Sequence, residues 1–198
     1  MPAETSIPLP LPIRLAQTLG ITTSLILAGS TLSTSLTTVP RLLESPPTLL
    51  LQQWSHMYAV GKKTGPPISF LSSMAFFYLA WKAHVKPRVF GGILSGSGSA
   101  KGRVWMYALA GVLGVGIVPY TFAVLMGTNK RLLRKVESAR VMELREEDLD
   151  LDLDLKLDAQ RDEEMSAHQL VDWWGVLNLG RGVMLAGSGA LGLWAALR

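Results

Sequence analysis

Residues 104–127, VWMYALAGVLGVGIVPYTFAVLMG, contain no Asp, Glu, Lys, Arg or His, and this strongly apolar run restricts the fold more than any other feature. A helix needs roughly 20 apolar residues to cross the hydrocarbon of a bilayer, so this run predicts a membrane span. Pro119 lies inside it, followed by Tyr120 and Thr121. A proline frees a backbone carbonyl that a hydroxyl or a neighbouring helix must then satisfy. The run ends in Thr128, Asn129, Lys130 and Arg131, so the span delivers a polar cluster to one membrane face.

Three further apolar stretches predict spans over 15–39, 65–83 and 173–197. Charged residues make up 17% of the chain, below the roughly 25% of soluble domains. The expected architecture is all-α: one integral membrane domain over 1–198, a four-helix bundle, with an additional amphipathic interfacial helix over 48–63. SPPT at 45–48 starts that helix with prolines in its first turn. Trp54, Tyr58 and Gly61 then share one face at i, i+4 and i+7, with His56 nearly opposite Trp54. In the first span Gly29 and Ser33 form a small-xxx-small pair. Ala110, Gly111 and Gly114 form a seam in the third, and Gly182, Ala186 and Ala190 another in the last, whose helix Ser166 can cap.

Residues 85–102 and 142–165 are expected to be flexible loops. The second holds DLDLDLDLKLD, whose alternation formally favours a strand although Asp is poor strand material, so a solvated loop is expected. Residues 143–164 carry eleven acids and three bases; the net −8 there leaves +12 elsewhere in a chain of net +4. Bases beside apolar spans snorkel to headgroups or sit by anionic lipid, and no nucleic-acid motif accompanies them. The lipid bilayer is therefore the expected partner and nucleic acid is not. Seven bases flank span ends on each side, so the charges do not set the orientation, and the oligomeric state is open.

With four spans, Arg41, Trp54, Tyr58, Thr128, Asn129, Arg131, Trp174, Asn178 and Arg181 collect at one membrane side. This convergence predicts a pocket roofed by the amphipathic helix. Trp174, Asn178 and Arg181 recur at i, i+4 and i+7 on one helix face. An arginine inside a span needs a partner or a wet cavity, the alternative being that Arg181 snorkels to the near interface. The chain has no cysteine, which excludes disulfides, thiolate metal sites and iron–sulfur clusters. His56, His84 and His168 lie outside or at the ends of the spans, unlike paired haem ligands. There is no dinucleotide or Walker glycine motif, and the spans lack the acid that a hydrolytic triad needs. What remains is an apolar cavity with Arg, Asn, Tyr and Trp, suited to a flat aromatic ligand.

VPR near the end of the first span, QW…Y..GKK..PP, R.WMYALAGVLGVGIVPYTFAVLMGTN..L, an acidic spacer and LV..W..LN..RG follow in that order. This pattern resembles the anthrone oxygenase family of fungal polyketide pathways, over about residues 25–197, departing at the Gly/Ser linker and the DL run. The resemblance implies oxidation of an anthrone to an anthraquinone by O2, with no metal or flavin cofactor, and coupling to a polyketide synthase and a thioesterase on an intracellular endomembrane. Such a reaction needs a base, a cation near the developing oxyanion, and a dry slot for three fused rings. On this reading Arg181 stabilises the oxyanion or peroxide, and Asn129 and Asn178 bond substrate oxygens. Trp174, Tyr58 and Trp54 hold the rings, and Tyr120 is a further polar contact. His56 is a candidate base, against the plain alternative of a surface histidine. A non-enzymatic scaffold or carrier for a hydrophobic aromatic metabolite is the competing reading.

Overall fold

A computed structural model describes residues 9–90, 97–146 and 153–197. Helix α1 (Leu11–Ser33) passes through a π-helical turn (Thr34–Thr38) into the short α2 (Val39–Leu42). Helix α3 (Pro47–Val85) is followed by a 3-10 turn at Pro87–Val89. Helix α4 (Ser97–Tyr120) leads through a second π-helical turn (Thr121–Leu125) into α5 (Met126–Glu146), and α6 spans Leu153–Leu197. No strand occurs among the described residues. The all-α expectation is met.

Among the described residues, three helical stretches are long and apolar enough to cross a membrane: Leu11–Leu42, Lys101–Val141 and Ala167–Leu197. The expected fourth, 65–83, lies inside α3 and does not reach the same mean hydropathy. It contains the polar group Ser69, Ser72 and Ser73, all buried. Nor is the amphipathic helix over 48–63 a separate element, because it runs unbroken into 65–83 as one helix of 39 residues. Pro66 and Pro67, at the start of the expected span, both sit inside α3. Two adjacent prolines remove only the bonds to the carbonyls of Lys62 and Lys63, in the exposed stretch 61–64.

The loop expected over 142–165 is also largely helical. α5 continues to Glu146, and α6 already begins at Leu153, so Ser166 lies within the helix and does not cap it. The reason is compositional: Leu, Lys, Gln and Glu are good helix formers, and acids near a helix N-terminus complement its dipole. Of the loop expected over 85–102, α4 takes everything from Ser97. Residues 91–96 and 147–152 lie outside the described residues.

The chain divides into two compact units, of residues 1–29, 65–118 and 183–198, and of residues 30–64 and 119–182. In the first, segments of α1, α3, α4 and α6 pack around Ile13, Phe76, Leu79, Tyr107 and Ala195. Its helices are tied by serines that donate to carbonyls of other helices: Ser24 to Leu185 at 2.9 Å, Ser69 to Gly114 at 2.7 Å, Ser72 to Gly20 at 2.8 Å and Ser188 to Ala110 at 2.7 Å. Such contacts require close backbones, which the small residues permit. A Cβ on Gly111 would meet the Phe77 ring at 2.7 Å, so the predicted seam on α4 packs. Gly29, in contrast, is exposed and a Cβ there would meet nothing within 4 Å, so the expected Gly29–Ser33 seam has no neighbour in the fold.

The second unit has its own core of Val39, Leu42, Leu50, Leu51, Trp54, Leu125, Leu132, Val171 and Trp174. All eight residues that the sequence singled out for chemistry belong to this unit.

Candidate active site

Aromatic side chains form the floor of the site. Trp54 on α3 is completely buried, and Tyr58, one turn on, stacks against it with centroids 5.1 Å apart and planes 10° from parallel. Trp174 on α6 meets the same indole edge-on, at 5.9 Å and 89°. Offset-stacked and T-shaped pairs satisfy the ring quadrupoles, so the three rings hold one another in fixed orientations. Gly61, predicted to share this face, is exposed with open space around it.

Helix α6 supplies the polar row. The Nε1 of Trp174 donates to the side-chain oxygen of Asn129 on α5 at 2.9 Å, and both residues are buried. One turn on, Asn178 donates through its amide nitrogen to Ser35 Oγ at 2.9 Å and to the Thr31 carbonyl at 3.4 Å. Its oxygen accepts from Nη1 of Arg181 at 3.3 Å. Both ends of the Asn178 carboxamide are thus engaged within the protein, the oxygen by Arg181. Among the described residues, Tyr58 and Tyr120 interact electrostatically with the Arg181 guanidinium. Tyr120, at the end of α4, also donates to the Leu177 carbonyl at 2.9 Å. Gly180 leaves room for that hydroxyl, since a Cβ there would collide with Tyr120 Oη.

The two π-helical turns border this arrangement, and each follows from local sequence. In TSLTT at 34–38, Thr34 and Thr37 turn their hydroxyls back onto the carbonyls of Ser30 and Ser33, at 2.9 and 2.6 Å. Pro40 next in the chain offers no N–H to the carbonyl four residues earlier. The turn at Thr121–Leu125 begins two residues after Pro119. π-helical turns often occur at functional sites because they re-aim side chains and free carbonyls. Here the first turn carries Ser35, which receives Asn178.

Among the described residues, two buried donors in this unit have no acceptor: Nε1 of Trp54 and Nε of Arg181. In a cluster where the other amides and indoles are paired, they are the groups left for something else to satisfy.

Five of the eight expected residues, Trp54, Tyr58, Tyr120, Asn129 and Trp174, are thus linked by ring contacts, a hydrogen bond or shared packing, and Asn178 and Arg181 form a hydrogen-bonded pair that interacts electrostatically with Tyr58 and Tyr120. His56 is not among them. It is exposed on α3, two residues from the buried Trp54 and turned to another side, as the helical angle required. Ser35, Thr31 and Gly180 escaped notice in the sequence. Ser35 and Thr31 were submerged in a Ser/Thr-rich span, and the only local sign of a helix irregularity there was the VPR that closes it.

Comparison with known proteins gives a consistent result. The family model for anthrone oxygenases matches residues 54–191. An anthrone oxygenase of Aspergillus fumigatus is 31% identical over 92% of this chain and 93% of its own length. An anthrone oxygenase of Paecilomyces divaricatus is 29% identical over 65% of this chain and 71% of its own, and a noranthrone monooxygenase of Aspergillus flavus is 28% identical over 57% and 48%. No solved structure matches the chain significantly.

Proposed function

The chain belongs to the anthrone oxygenase family, and from that premise we propose that it oxidises an anthrone to an anthraquinone with molecular oxygen, without metal or flavin, in aromatic polyketide biosynthesis. The observation that carries this reading to the second unit is the pair of unpartnered buried donors, Trp54 Nε1 and Arg181 Nε, beside three mutually fixed aromatic rings. A buried N–H without an acceptor costs about 1–3 kcal/mol. A flat ligand carrying oxygens offsets that cost, and its ring faces match the aromatic surroundings.

The chemistry needs no cofactor because the substrate itself becomes the reductant. An anthrone's ring methylene is flanked by two aryl groups and conjugated to the carbonyl, so loss of a proton gives a phenol-like enolate. The enolate passes one electron to O2; the carbon radical and superoxide join through a new C–O bond to give a peroxide. Loss of water from the hydroperoxide, with the second methylene hydrogen leaving as a proton, forms the new carbonyl. One O2 is consumed, one oxygen atom enters the quinone and the other leaves as water.

In this scheme Arg181, aimed by Asn178, stabilises the enolate oxygen and then the peroxide, with Trp54 Nε1 as a second donor. Asn129 holds Trp174 in place beside the rings. A tyrosine can take the methylene proton only as its phenolate, becoming the neutral phenol as the enolate forms. Tyr58, which stacks on Trp54 and interacts electrostatically with Arg181, takes that role in place of the exposed His56.

The membrane arrangement belongs to the same proposal. A helix of 39 residues is ~58 Å long, more than the roughly 30 Å hydrocarbon core. Residues 65–83 then make the fourth span, and 47–63 extend into the interface, where Trp54 and Tyr58 complete the site. The protein is a multi-pass enzyme of an intracellular membrane, receiving a hydrophobic product released by a polyketide synthase and thioesterase. Titration of tryptophan fluorescence with an anthraquinone under nitrogen tests the site. Saturable quenching that weakens in a Trp54→Phe variant supports it, and unchanged quenching in that variant contradicts it.

A further inference from the structure

A second feature of the 30–64 and 119–182 unit lies outside the cluster just described. A surface groove of about 490 Å³ runs between α5 and α6, lined by Arg131, Arg134 and Lys135 on one side and Gln169, Leu170 and Trp173 on the other. The three cations fall at i, i+3 and i+4, which places them on one face of α5. No acid is among the residues that line the groove. Three like charges in one groove repel one another, so the arrangement calls for an anion.

We propose that this groove binds the phosphate headgroup of an anionic phospholipid. Its position argues for lipid rather than a soluble anion. Arg131, Arg134 and Lys135 lie near the end of the Lys101–Val141 stretch, and Gln169, Leu170 and Trp173 near the start of Ala167–Leu197, so the groove sits at the rim of two candidate spans. Trp173 is 55% exposed, and Val176, one turn deeper into the apolar stretch, is 50% exposed. A tryptophan at headgroup level above an apolar strip is the usual membrane-interface arrangement, and arginine forks match phosphate oxygens. The groove thus offers cations for the head and an adjoining apolar strip for an acyl chain. Anionic lipids are concentrated in the cytoplasmic leaflet, so the bound lipid also orients the α5–α6 end towards the cytosol. This inference does not depend on the reaction proposed above.

Native mass spectrometry of the full chain from bicelles containing equal phosphatidylserine and phosphatidylcholine tests it. The expected result is one retained phosphatidylserine, favoured over phosphatidylcholine by roughly a hundredfold, as three basic groups near a lipid surface provide. The triple variant Arg131→Gln, Arg134→Gln, Lys135→Gln should lose that preference while melting like the native chain in pure phosphatidylcholine. If the triple variant fails to fold, Arg134→Gln alone should cut the preference about fivefold. Equal retention of the two lipids, or a preference unchanged in a folded variant, overturns the proposal. So does displacement of the lipid by millimolar inorganic phosphate, which would mark a soluble-anion site, or capture of an acidic carrier protein in preference to lipid.

Discussion

The buried side chains of Trp174 and Asn129 are joined by a hydrogen bond of 2.9 Å from the indole Nε1 to the carboxamide oxygen, and this bond ties α6 to α5 at the level of the aromatic cluster. Replacing Asn129 with Ala leaves a buried N–H unmet, at a cost of about 1–3 kcal/mol. Asn129→Ala should therefore lower the unfolding midpoint in detergent and reduce turnover together. A variant with native stability and native oxygen uptake would show that the bond has no part in either.

Arg181 is held by Asn178, which is itself held by Ser35 and the Thr31 carbonyl. Arg181→Ala removes the cation from the developing oxyanion and should lower kcat by roughly 100- to 1000-fold, with the protein still folded. Ser35→Ala acts one bond further away. It should lower kcat less, and leave the affinity for the quinone product nearly unchanged. Normal oxidation by a folded Arg181→Ala protein would remove the central residue of the mechanism.

The roles of Tyr58 and His56 separate by isotope exchange without oxygen. Under nitrogen, in heavy water, the native protein should speed exchange of the anthrone methylene hydrogens, and Tyr58→Phe should abolish the acceleration. His56→Ala should exchange at the native rate, because that ring is exposed away from the cluster. The reverse pattern would return the proton to the histidine.

Gly180 and Tyr120 should show coupling. A methyl group at 180 meets the tyrosine hydroxyl, so Gly180→Ala should displace it from the Leu177 carbonyl and lower activity. Tyr120→Phe removes the closest of the clashing atoms, and the double variant should be less impaired than the sum of the two single changes. Strict additivity would mean that the two positions do not meet.

Packing in the first unit gives a contrast between two glycines. A Cβ on Gly192 overlaps the buried Phe76 ring, so Gly192→Ala should cost about 1–3 kcal/mol by overpacking. Gly29→Ala, in open space, should not destabilise the chain. Thermal unfolding in one detergent measures both, and equal losses would contradict the packing described.

The sequence carried the apolar helices and the face of α6 that bears Trp174, Asn178 and Arg181, because hydropathy and the 3.6-residue period are local properties. It also placed His56 opposite Trp54 correctly by angle alone. It did not carry the continuity of α3 through Pro66 and Pro67, since whether adjacent prolines break a helix depends on what surrounds the two freed carbonyls. The helix over the acidic segment was hidden by a two-residue alternation that imitates a strand. Of the partners of Asn178, Ser35 was hidden for another reason: it lies in the π-helical turn at Thr34–Thr38, which no periodicity reports.

Oxygen uptake by the purified, dialysed protein supplied with emodin anthrone after metal chelation tests the account most directly. The predicted result is saturable uptake well above the spontaneous rate, with one O2 consumed per anthrone and, under ¹⁸O2, one labelled atom in the quinone. Uptake no faster than with heat-inactivated protein, in a sample shown to be folded, or activity that chelation abolishes and added metal restores, would contradict it.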